Sequence, residues 1–197
     1  DRPNFTAQEV KARLDADLPE HFGSEPPRVE IVESLSAKAV AGRDYIKLRG
    51  NAVFSDLDTT QLLQHEALVH IATGKNGREQ TNFPILGEAH PGNTRTQEGL
   101  AVFAEFISGA LDPRRLKRLA DRVIAIQMAL DGADFIQLYE YFQGIADSEF
   151  EAFESARRVV RGGLVSGGAP LTKDVVYLQG LVEVHSFLRA AVQAGDP

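Results

Sequence analysis

The chain has no cysteine. That excludes a disulfide framework and a thiolate metal site, so any metal ion would have to be held by His, Asp or Glu. It also fits a reducing, cytoplasmic setting. Positive charge is in short supply: 21 Lys and Arg stand against 28 Asp and Glu, for a net charge of -7. Such a balance argues against a nucleic-acid or anionic-membrane surface. No apolar run approaches the length of a membrane span, and the opening "DRPNFTAQEV" does not read as a signal peptide. Internal repeats and low-complexity tracts are also lacking. Because the chain begins with Asp rather than Met, it is expected to be processed or cut from a longer protein.

What is present is globular. A hydrophobic content of 43% and a charged content of 25%, spread over 197 residues, suffice for one domain with a sizeable core, or at most two small ones. "TAQEVKARLDADL" reads as a helix capped by Thr6, with Glu9 three residues on. "PPRVEIVES" and "RDYIKLRG" read as two strands of a small sheet. Ser55 and Asp56 open a helix through "LDTTQLLQHEALVHIAT" that is expected to stop at "GKNG". A loop from Lys75 to Arg95 follows, then "QEGLAVFAEFISGAL" capped by Thr94 or Thr96. Asp112 and Pro113 start the next helix. Two further amphipathic segments, the glycine-rich "RGGLVSGGAP" and a long last helix complete a mostly α (α+β) chain with a small sheet near its N-terminus.

The chemistry concentrates in "HEALVH", residues 65 to 70. In the zinc-peptidase signature HExxH the two histidines lie four residues apart, about 40° apart on a helical wheel, and both reach one ion. His65 and His70 are five apart, which a regular α-helix separates by roughly 140°. A π-bulge would restore a common face, and such bulges occur mostly at functional sites. The extra residue is expected among Ala67, Leu68 and Val69. A catalytic zinc takes three protein ligands and keeps one position open, and Glu98 in "QEGLAVFAE" is the best candidate for the third. Gly99 beside it would let another backbone come close. Glu105 returns to within about 20° of the Glu98 face and could orient a ligand histidine. Glu66, one wheel step from His65, suits a general base. Arg157, Arg158 and Arg161, with Lys173 and Tyr177 across the glycine loop, form a basic and phenolic cluster that could bind a carboxylate or an oxyanion.

Plainer readings stand beside each of these. Two histidines around an acid can be a surface accident, and Glu98 with Glu105 a solvated face. The arginines can be a helix end favoured by the macrodipole. His185, at helical spacing with Leu178, Leu181 and Leu188, reads as a core or boundary histidine. His21 and His90 have no partner at ligand spacing. "GGLVSGG" lacks the Lys-Ser/Thr of a phosphate loop.

Taken in order, "HEALVHIATGKNGREQ", "TQEGLAVFAEF", "DGADF", "ARRVVRGG" and "LTKDVVYLQGLVEV" resemble the QEGLA-motif family. Its bacterial members are known as flavohaemoglobin expression-modulating proteins, and it is related to the microtubule-associated tyrosine carboxypeptidases of animals. The resemblance runs from about Tyr45 to Leu188. It implies a gluzincin-like, HExxxH zinc metallopeptidase core, with His65, His70 and Glu98 as ligands and Glu66 as catalytic acid/base. A similar HExxxH arrangement holds zinc in enzymes of the dipeptidyl peptidase III type. The expectation is therefore a single zinc-dependent catalytic domain over residues 1–197, carboxypeptidase-like, acting in the cytoplasm on a peptide or protein C-terminus, with no nucleic-acid or membrane partner. Arg158, Arg161, Lys173 and Tyr177 would contact the substrate. The alternative is a regulatory or scaffolding protein with a structural or inactive zinc site, and Glu66 discriminates, since a structural site has no use for an acid beside its ligands.

Overall fold

A computed structural model describes residues 4–35 and 37–195. The fold is mostly helical with small sheets near the N-terminus. It divides into two compact units, Asp1–Asp112 with Gly180–Pro197, and Pro113–Gln179.

In the first unit, β1 (Phe5–Thr6) leads into α1 (Ala7–Phe22), and Thr6 and Glu9 form the expected capping box. The two expected strands are β2 (Arg28–Val32) and β4 (Tyr45–Arg49), paired in parallel with Arg28 opposite Tyr45. β3 (Ala39–Ala41) joins β4 antiparallel on the other side, and β5 (Val53–Phe54) pairs with β1 in a separate two-stranded sheet. Alternation along the strands sends Val29, Ile46 and Leu48 inward, where they pack with Val10, Leu14 and Leu18 of α1.

Ser55 and Asp58 cap α2 (Asp56–Gln61) with a second capping box. The helix then widens into a π-helical stretch, Leu62–Ile71, and returns to α geometry in α3 (Ala72–Glu79). "GKNG" does not stop it. A Cβ on Gly77 would fall 2.0 Å from the Leu86 carbonyl oxygen, so this glycine makes room for the returning chain rather than ending the helix. A short 3₁₀ turn (Pro84–Gly87) precedes α4 (Thr94–Ile107). Asn93, not a threonine, occupies the N-cap of α4, and the Thr94 hydroxyl donates back to the His90 carbonyl at 3.1 Å.

The second unit packs α5 (Pro113–Leu130), α6 (Phe135–Gln143) and α7 (Glu149–Val160) around Ala125, Ile126, Leu138, Phe142, Ala152 and Val159. Asp134 and Ser148 cap α6 and α7. The last helix, α8 (Val175–Ala194), starts in this unit after a 3₁₀ turn (Thr172–Asp174). Its segment Thr172–Ala194 contains an 18-residue stretch of mean hydropathy 1.2 and is, by length and composition alone, long enough to cross a membrane, which corrects the expectation that no run approaches such a length. It nevertheless carries Glu183, His185 and Arg189, and Gly180 packs against α4. His185 is not a core residue. Gly180 and Val184 form the buried side of the helix, and His185 turns outward, exposed, with its ring centroid 6.4 Å from those of Phe103 and Phe106.

Candidate metal centre

The π-helical stretch settles how two histidines five residues apart share a direction. Hydrogen bonds from residue i+5 to residue i, such as Ala72 N–H to the Ala67 carbonyl, stack each side chain over the one five positions earlier. The His65 and His70 rings meet edge to face with centroids 4.9 Å apart. The widening is longer than one inserted residue among Ala67, Leu68 and Val69, because it begins at Leu62, before the first histidine. Leu62, Ala67 and Ile71 from the same stretch enter the hydrophobic core. One face is thus anchored in the core while the two histidines meet α4.

From α4, Glu98 presents Oε2 at 3.4 Å from His65 Nε2 and at 3.4 Å from His70 Nε2. Glu105, two turns further on, is fully buried and accepts a hydrogen bond from His65 Nδ1 at 2.6 Å. Because a carboxylate can only accept, the proton sits on Nδ1 and Nε2 is left facing Glu98. His65 and Glu98 are buried, and His70 is partly open to solvent.

These groups favour a cation. Burial works against a charged His65, but hydrogen bonds to Glu105 and Glu98 outweigh it and push the imidazole up to about 9. Burial likewise works against a charged Glu98, and its bonds to His65 and His70 hold the carboxyl well below the usual carboxylate range. The donor set fits a divalent metal equally well. One ligand atom each from His65, His70 and Glu98 lies within 4.8 Å of the others. Zinc–ligand bonds of 2.0–2.1 Å in tetrahedral geometry place neighbouring donors about 3.4 Å apart. Both separations from Glu98 equal that spacing.

A family model described as microtubule-associated tyrosine carboxypeptidase matches residues 1–197. The chain belongs to this family. It is therefore a carboxypeptidase-family metallopeptidase, and the buried His65, His70 and Glu98 cluster is consistent with its metal site. A search of curated proteins found no match.

The remaining candidates fall in two places. Glu66 lies in the π-helical stretch, half-buried, and makes no hydrogen bond or salt bridge among the described residues. Arg158, Arg161, Lys173 and Tyr177 belong to the second unit. Arg158 grips Asp174 through two hydrogen bonds and is held above its ordinary pKa, first by that bonding and against burial, with Tyr177 adding to it. Arg161 sits exposed at the end of α7, and Lys173 is exposed in the 3₁₀ turn. Two members of this cluster escaped the sequence reading. Asp174 looks like a turn residue and Arg122 like part of the charged face of "DPRRLKRLADR", and only long-range packing brings them together.

Proposed function

We propose that the protein is a zinc-dependent carboxypeptidase in which His65, His70 and Glu98 hold the ion and Glu66 is the catalytic acid/base. The observation that carries this reading is the pair of 3.4 Å separations joining Glu98 to both imidazoles, in a chain of a metallopeptidase family. When bound, zinc supplies the Lewis acidity that polarises a scissile carbonyl and lowers the pKa of water to about 7. Glu66 then takes a proton from the attacking water and delivers it to the leaving amine, so that one peptide bond and one water become a carboxylate and an amine. Glu105 fixes the ring of His65 through Nδ1 and keeps Nε2 available. The family's name supports a tyrosine at the C-terminus of a protein as the residue released, microtubules as the setting, and a cytoplasmic location.

Metal content by plasma mass spectrometry tests the centre. Wild-type protein is expected to carry about one zinc per chain, and His65→Ala and Glu98→Ala to carry none. Wild-type protein that stays metal-free after zinc is supplied overturns the reading. Glu105→Ala should still bind zinc, but about 10–100-fold more weakly in a competition titration with a chromogenic chelator. An unchanged affinity would remove Glu105 from any orienting role.

A further inference from the structure

The 3₁₀ turn after α3 carries apolar side chains that neither the core nor the metal centre uses. Phe83, Ile85 and Leu86, in and beside Pro84–Gly87, are each more than half exposed. Large apolar side chains gathered on a surface mark an interaction site. The turn is held on α3 where two stretches of backbone cross. Gly77 lies under the Leu86 carbonyl, and a Cβ on Gly87 would meet Arg78 at 2.6 Å from Cγ and 3.1 Å from the backbone nitrogen. The three side chains are thus presented from a fixed base.

That crossing stands on the face of the helix that carries His70. Gly74 and Gly77 come four and seven residues after His70, within about 40° and 20° of it on a helical wheel. His70 is the candidate ligand that is partly open to solvent. Neither glycine has a side chain to cover this face. Apart from the helix backbone itself, a Cβ on Gly74 would find only the tip of Arg78 among the described residues, with Nη1 at 3.2 Å. A bare strip of helix therefore leads from the open side of the metal centre to the apolar turn. Seven residues of helix make it about 10 Å long, which an extended peptide covers in about three residues.

We propose that this strip binds the part of a peptide ligand that precedes the cleaved bond, and that the turn selects a large apolar side chain three residues before that bond. The direction rests on the carboxypeptidase reading above. Such an enzyme leaves a single residue beyond the scissile bond, so a strip three residues long is filled from the other side.

Fluorescence anisotropy on the zinc-supplied full chain carrying Glu66→Gln tests this without turnover. The probes are fluorescein-labelled alanine peptides ending in tyrosine, with Leu, Ser or Asp at the second, third, fourth or fifth residue from the C-terminus. At the fourth residue, Leu is expected to bind at least tenfold tighter than Ser, the scale of discrimination that an apolar pocket supplies. Ile85→Ser combined with Leu86→Ser should bring that ratio close to one. Both residues are exposed, so the double variant is expected to fold. Gly74→Leu obstructs the strip without touching the turn. It should weaken the Leu peptide at least tenfold more than it weakens acetyl-alanyl-tyrosine, which is too short to lie along the strip and is measured by competition. Equal affinity for Leu and Ser at the fourth residue overturns the proposal, as does a preference that survives the double variant. A gain largest beside the tyrosine would place the apolar contact at the metal centre, and a gain for Asp would give the strip to Arg78. Either result overturns the role of the turn. So does a dimer in sedimentation velocity that the double variant dissociates, which would assign the turn to a second copy of the chain. Zinc content is measured on the same samples. A chain that shows the Leu preference but holds no zinc keeps this surface and loses the peptidase reading, whereas zinc without the preference does the reverse.

Discussion

Glu66→Gln is expected to retain the wild-type zinc content while kcat/KM on a peptide ending in tyrosine falls by about 10²–10⁴. The substitution preserves the size of the side chain and removes only its negative charge and its capacity to carry a proton. Glu66 is half-buried and forms no hydrogen bond or salt bridge among the described residues, so little of the surrounding structure depends on it. Its charge does reach His65, whose protonated form it favours. That places it near the candidate ligands without making it one of them. If Glu66 moves the proton, the loss should fall on kcat with KM nearly unchanged, because the interaction is made in the transition state. If the site is structural, the wild-type protein hydrolyses none of the peptides tested and the variant matches it. Activity within about tenfold of wild type would assign the proton transfer elsewhere.

Much of this centre could be read from order and spacing, because its parts are local. Glu98 and Glu105 are seven residues apart on one helix, and the facing that this implies is the facing observed, one toward Nε2 and the other toward Nδ1 of the same histidine. The five-residue spacing of His65 and His70 likewise demanded a departure from α geometry. Its extent was not legible, because the ladder from Leu62 to Ile71 is set by which side chains the core accepts and which α4 accepts. Local signals failed where a residue serves a distant partner. Gly77 punctuates the sequence like a helix stop, yet it stands under the Leu86 carbonyl inside a continuing helix. β1 and β5 have two residues each, too short to show any periodicity, and are fixed by pairing with each other. Arg122, Arg158 and Asp174 come from three separate elements, and nothing in the sequence around any one of them names the other two.

Gly99→Ala should damage the metal centre without touching a ligand. A Cβ at position 99 would lie 2.2 Å from the carbonyl carbon of Gly180 and 2.3 Å from its oxygen. From the other side, a Cβ on Gly180 would meet the Arg95 carbonyl oxygen at 2.2 Å and the Gly99 Cα at 2.7 Å. All of these are backbone atoms, so no rotamer change relieves the contact and the two helices must move apart. Overpacking of this kind costs about 1–3 kcal/mol, which chemical denaturation would register. The larger consequence is positional. Glu98 precedes Gly99 directly, and its Oε2 must stay 3.4 Å from both imidazoles at once. Displacing α4 breaks that condition, so zinc affinity should fall by about tenfold or more, as for loss of a group that orients a ligand. Gly180→Ala should reproduce both losses, although no proposed ligand lies on α8. Gly144→Ala is the control, because its nearest neighbour would be 3.5 Å away in ordinary contact. Zinc affinity unchanged in both Gly99→Ala and Gly180→Ala would mean that Glu98 is placed by α4 and the π-helical stretch alone, and that the glycine crossing serves only the packing of α8.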